Sequence, residues 1–238
     1  MIKNLLLVAI IIFSQWIFSQ ASLEQFLNET DAFMKKYVRE GNVDYAAIKK
    51  KPLSLDALYS SIGNMELTGK TDNEIKAFYI NSYNILVIYQ VVHRLPITGP
   101  LEVDGFFSAT PHKVAGKELT LDQLEKETLL KKYPDPRIHF AVVCAALGCP
   151  QLTNYAYKPE YLDKQLDVVT SKSLNRDYFI RIRPSQQKAE ISKIFEWYRS
   201  DFGENNILTF INKYRDKKIP ESFEVVYYEY DWNLNRVK

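Results

Sequence analysis

Apolar positions recur at helical spacing over residues 22–40, where Leu23, Phe26, Leu27, Phe33, Met34, Tyr37 and Val38 share one stripe. Gly41-Asn42 ends that helix. A short helix is expected over 54–62, after Pro52. Thr71-Asp72-Asn73-Glu74 has the capping-box pattern, in which the hydroxyl accepts the amide three residues on and the glutamate reaches back. It predicts a long helix to about Arg94, stopped by Pro96. Ile75, Phe78, Tyr79, Ile80, Ile85, Leu86, Val87, Ile88 and Val91 surround that helix with apolar groups, and a helix without a polar face is normally buried. Asn81 and Asn84 therefore stand out, three residues apart on one face. A buried amide without partners costs a few kcal/mol. Each is expected either to pin a neighbouring loop or to orient a catalytic group or an oxyanion.

Residues 97–118, rich in Gly and Phe, are expected to be irregular, with a short hairpin ending at Gly116. Thr120-Leu121-Asp122-Gln123 is a second capping box and predicts a helix through Tyr133, with Pro134 and Pro136 beyond it. Residues 138–144 have strand composition, and Pro159 opens a helix to about Leu174. Residues 178–183 alternate apolar and cationic side chains, as a half-exposed strand does. Residues 191–199 and 206–214 read as helices, and 223–230, rich in Val and Tyr, as a strand. The sum is an α+β fold, a mainly helical single domain with a small antiparallel sheet. The chain divides into a leader over 1–20, a helical segment over 21–70, and a main domain over 71–238 that forms one compact unit with that segment.

The leader changes the picture of compartment. Lys3 supplies a positive start, residues 5–13 are unbroken apolar, and Ser19-Gln20-Ala21 offers a cleavage site. The run is short for a membrane span, which needs about 20 apolar residues. Export to the periplasm or the medium is the expectation, with an uncleaved N-terminal anchor as the alternative and no span after the leader is removed. The formal charge of +2 falls to about +1 without Lys3. That balance excludes a nucleic-acid binder, which would show a basic stripe. The cluster Lys49-Lys50-Lys51 reads as a solvated helix end.

Candidate chemistry centres on residues 137–150, which hold both cysteines and His139. A thiol hydrolase needs a thiolate, an imidazole, an orienting group and an oxyanion donor. Cys149 precedes Pro150, a residue favoured at the first position of a helix, and a helix N-terminus would activate the thiol. His139 is the nearest imidazole, Glu125 an orienting group, Asn81 or Asn84 an oxyanion donor, and Cys144 the alternative nucleophile. Histidine ahead of cysteine reverses papain's order and would need a permuted topology. Two cysteines in an exported chain equally fit a Cys144–Cys149 disulfide in a binding module with an aromatic groove. His139 also fits a satisfied core position, His93 a helix end, and His112 a loop facing either a cleft or solvent. Trp232 reads as a core plug, and Lys193 as a lysine with a buried stem. No metal-ligand spacing or glycine-rich phosphate loop is present, so neither metal nor cofactor is expected.

Five stretches in order resemble the domain-of-unknown-function family 547 (DUF547). They are residues 78–84 (Phe-Tyr-Ile-Asn-Ser-Tyr-Asn), 114–125, residues 137–141 with Cys144 and Gly148-Cys149-Pro150, residues 191–202 with Trp197-Tyr198 and Asp201-Phe202, and Tyr230-Asp231-Trp232-Asn233-Leu234-Asn235. The resemblance covers about residues 74–235 and implies a relationship to papain-like or transglutaminase-like cysteine hydrolases. Family members often carry histidine after the glutamate matching Glu125, where this chain has Lys126. The partner implied is a peptide, a protein or an envelope substrate.

Overall fold

The computed structural model describes residues 22–203 and 206–238, so the expected leader over 1–20 lies outside the described residues. Helix α1 (Leu23–Tyr37) opens on Ser22, whose hydroxyl accepts the Gln25 amide at 3.1 Å, and its apolar stripe is buried as patterned. Gly41 lies in the turn of a two-residue hairpin, β1 (Val38–Arg39) with β2 (Asn42–Val43). The short helix α2 (Tyr45–Lys50) then ends in the exposed lysine cluster, and α3 (Leu53–Asn64) follows.

Helix α4 (Asp72–Arg94) is the hub of the fold. Both halves of its capping box form: Glu74 N donates to Thr71 Oγ1 at 3.3 Å, and Thr71 N donates to Glu74 Oε2 at 2.9 Å. Such a cap contributes about 1 kcal/mol. The helix packs against α1, α2 and α3 on one side and against the 123–130 segment on another, so its middle is buried nearly all round. A hairpin follows as β3 (His112–Val114) and β4 (Lys117–Leu119), turning through Ala115 and Gly116 with φ of 47° and 79° rather than ending at Gly116.

Two local expectations over residues 120–144 are corrected. The second capping box forms, with Gln123 N donating to Thr120 Oγ1 at 3.2 Å, but Gln123–Leu130 winds as a π-helix rather than an α-helix. Lys131 N accordingly reaches back five residues to Lys126 O, at 3.1 Å. Residues 138–144 are not a strand. Pro136–Phe140 forms a 3₁₀ turn, and irregular backbone continues to Cys149. The apolar run is buried by packing rather than by sheet pairing, and a short apolar run cannot by itself distinguish the two.

Helix α5 (Leu162–Leu174) lies against the 136–140 turn. Strands β5 (Ile180–Arg183) and β6 (Lys188–Ile191) pair antiparallel; α6 (Ile194–Trp197) and α7 (Ile207–Tyr214) follow, and β7 (Glu224–Tyr227) pairs parallel to β6. The architecture is therefore α+β with small sheets, of which the three-stranded one is mixed rather than purely antiparallel. A parallel return needs a long crossover, and α6 and α7 supply it. The C-terminal segment closes the fold. Leu147 N and Gly148 N donate to Asn233 O and Asp231 O, each at 2.8 Å, and Asn235 N donates to Ala145 O at 3.0 Å. Among the described residues no helix is long and apolar enough to cross a membrane.

Candidate functional site

The closing C-terminal segment, the π-helix and the cysteine loop meet at one cavity of about 300 Å³. Val142, Phe107, Ile194, Trp197, Tyr230 and Trp232 make its apolar wall. Tyr83, Asp122, Glu125, Lys126, His139 and Tyr198 supply its polar lining, and Cys144, Cys149 and Pro150 complete it. Residues from 83 to 232 thus converge on one space.

Cys144 and Cys149 are joined by a disulfide, with their Cα atoms 6.4 Å apart. Irregular backbone permits so short a loop, since bridging needs Cα atoms about 4.4–6.8 Å apart. The Tyr230 hydroxyl donates to Cys149 Sγ at 3.1 Å and lies 3.3 Å from Cys144 Sγ. Gly148 admits that ring, because a Cβ there would stand 2.9 Å from Tyr230 Cδ1. No helix begins at Pro150, so the helix-terminus activation expected for Cys149 has no structural basis. Neither sulfur is a free thiol in this structure.

His139 sits on the 3₁₀ turn, 3% exposed, with Nε2 on Asp201 Oδ2 at 2.7 Å. That hydrogen bond is the first cause of an Asp201 carboxyl held below the usual carboxylate range. Glu125, expected to orient the imidazole, does not do so. It accepts the Tyr198 hydroxyl at 2.7 Å, and the Tyr198 ring packs on His139 with centroids 4.1 Å apart. Tyrosine 198 thereby links the two groups. Burial, then the Glu125 charge, push the phenols of Tyr83 and Tyr198 well above the ordinary tyrosine range, so both remain neutral donors.

Asn81 and Asn84 are not brought to the cavity. The Asn81 amide donates to Ala77 O and Tyr157 O at 2.7 and 2.8 Å and accepts from Tyr157 N at 3.0 Å. Asn84 donates to Ala141 O and accepts from Val143 N, both at 2.9 Å. Every described bond of these side chains goes to backbone, which pins the loops that carry Tyr157 and the cysteines. Neither amide is aimed at an oxyanion.

Four other side chains differ in setting. His112 lies not at a cleft but buried in β3, with Nε2 on Gln90 Oε1 at 2.8 Å. His93 Nδ1 meets Tyr89 O at 2.9 Å, a helix-end role. Lys193 pairs with Glu229 at 3.0 Å. Trp232 is a wall of the cavity rather than a core plug. Sequence reasoning missed Asp201 as the partner of His139 and Tyr198 as the link, although both stand in the fourth stretch that carries the family resemblance. Among the described residues no three His, Cys, Asp or Glu side chains gather as metal ligands would.

No curated protein and no solved structure matches the chain. Residues 67–173 match the family described as "Protein of unknown function, DUF547". That stretch contains α4, the π-helix, His139 and both cysteines, while Trp197, Tyr198, Asp201, Tyr230 and Trp232 reach the cavity from beyond it. Residues 67–173 thus carry a DUF547 domain, a family of unknown function.

Proposed function

We propose that this protein is an exported, non-catalytic binding module of the cell envelope, which holds a ligand among the aromatic and polar side chains that line the cavity. The observation that carries this reading is the Cys144–Cys149 bridge, which occupies both nucleophile candidates and makes them part of the cavity lining. The two buried asparagines support it as well, since their hydrogen bonds serve the scaffold. Two measurements test the proposal. Unfolded protein treated with iodoacetamide without reductant is expected to gain no adduct, and two adducts after reduction; alkylation without reductant would defeat the structural bridge. Titration of the intact chain with envelope peptides is expected to quench tryptophan fluorescence, and Trp197→Ala to remove most of that response. Export predicts a mature mass beginning near Ala21, and an intact N-terminus in the membrane fraction would instead mean an anchor.

A second reading has one specific observation in its favour: the His139–Asp201 pair lines the same cavity as both sulfurs. Opening the bridge with an external dithiol would release two thiols and oxidise the dithiol. A cysteine-dependent hydrolase or transferase acting on amide or acyl bonds would then use one of them, and the papain-like or transglutaminase-like relationship belongs to this reading. Ester turnover that requires dithiol and is lost in both Cys149→Ser and His139→Ala would establish it. Absence of turnover in reduced, folded protein would remove it.

A further inference from the structure

Glu125 lines the cavity without an ion-pair partner among the described residues. Its side chain lies in a residue 7% exposed, and Tyr198, a neutral donor, holds it at 2.7 Å. The nearest lysine in the chain, Lys126, is engaged by Asp122 at 2.7 Å, and the His139 imidazole is engaged by Asp201. A largely buried carboxylate without a counter-charge is costly, and the cost is removed when a cation arrives.

The aromatic lining of the same cavity favours the same sign of charge. Trp197, Tyr230 and Trp232 form a three-ring cluster, with centroids 4.9 Å (Trp197–Tyr230), 5.7 Å (Trp197–Trp232) and 4.8 Å (Tyr230–Trp232) apart. Trp197 keeps 46% of its surface exposed although it is large and apolar. Aromatic faces carry negative potential and attract ammonium groups. A cavity of about 300 Å³ is at the small end of ligand sites, enough for a short stem and a head group.

Resting on the binding reading above, we infer that the ligand presents an aliphatic ammonium group, seated between Glu125 and the face formed by Trp197, Tyr230 and Trp232. An amine-bearing peptide or an amino sugar supplies that chemistry. A neutral polyol would stack on the same rings but leaves Glu125 unbalanced.

The test uses the intact chain and two probes of matched shape, n-butylammonium and n-butanol, titrated at constant ionic strength and read by tryptophan fluorescence and ligand-observed NMR. The ammonium is expected to bind at least about tenfold more tightly. Glu125→Gln, which can still accept the Tyr198 hydroxyl, is expected to lower the ammonium affinity to that of the alcohol. If that variant fails to fold, Trp197→Ala at its half-exposed position is expected to weaken the ammonium severalfold. Equal affinity of the two probes, a preference that survives Glu125→Gln, or an unchanged ammonium affinity in folded Trp197→Ala would each overturn the inference. Equal binding leaves the ligand-binding reading standing, whereas no binding by either probe overturns the ammonium inference and leaves the wider reading to the envelope-peptide titration.

Discussion

His112 and His139 are buried to the same extent, 3% exposed each, yet they belong to different kinds of region. His112 faces a core whose polar groups serve one another: Nε2 meets the Gln90 amide, the Gln90 amide donates to Phe106 O, and Nδ1 has no partner. His139 faces a carboxylate and a cavity. The same contrast separates Asn81 and Asn84, whose hydrogen bonds serve backbone, from Glu125, which lines open space. Burial of a polar side chain therefore does not identify a site. The charge of its partner and its access to a cavity do.

The comparison can be broken first on the core side. Asn84→Ala leaves Ala141 O and Val143 N without their partner, and Asn81→Ala does the same to Tyr157. Each is expected to lower unfolding stability by about 3 kcal/mol or more, read by urea denaturation. A loss under 1 kcal/mol would mean that these amides are not holding the loops.

The next effect distinguishes the two histidines by pH. Burial pushes the His112 imidazole down from 6.5 to about 4. The unfolded chain therefore takes up that proton first. The stabilising contribution is fully present above pH 6.5 and is lost as pH falls towards 4, by up to about 3 kcal/mol. His112→Gln is expected to flatten the stability profile in that window. A slope unchanged by the substitution would contradict the assignment.

Gly148→Ala probes the junction between the regions. A Cβ at 2.9 Å from the Tyr230 ring must displace that ring from the sulfurs, at an expected cost of about 1–3 kcal/mol in thermal or urea unfolding. Full retention of stability would show that the ring moves freely.

Asp201→Asn should have the smallest effect. The folded-state pKa of Asp201 is depressed, so its contribution is present above the ordinary carboxylate pKa and is lost as pH falls through the folded value. Its side chain is 37% exposed, which keeps the expected change below about 1 kcal/mol at neutral pH. A larger loss would mean that the pair supports the fold more than the cavity.

Much of the helical frame was legible along the chain. Thr71 and Thr120 marked helix starts, and the all-round apolar pattern of α4 foretold its burial and the importance of Asn81 and Asn84. A short hairpin in this region was legible too, although it turns at Gly116 and runs on to Leu119 rather than ending there. Other features were not. The run over 138–144 carries the residues of a strand but never meets a pairing edge. The widened winding of Gln123–Leu130 leaves no distinct period in so short a segment. Trp232 looked like a plug because its sequence neighbourhood says nothing about which face remains open.

The site followed the same division. His139, Glu125 and both cysteines were recognisable by residue type, and they do line one cavity. Asp201 lies 62 positions beyond His139, with α5, β5, β6 and α6 between them. By itself the sequence determined the capped helix starts at Thr71 and Thr120, the buried amides and the inventory of reactive groups, because caps and periodicity depend on neighbours within a turn or two. Only the tertiary structure decided that His139 pairs with Asp201 and that Glu125 shares a cavity with the aromatic cluster. Those contacts depend on how the return through α6 and the closing C-terminal segment pack against α4 and the cysteine loop, which no local pattern encodes.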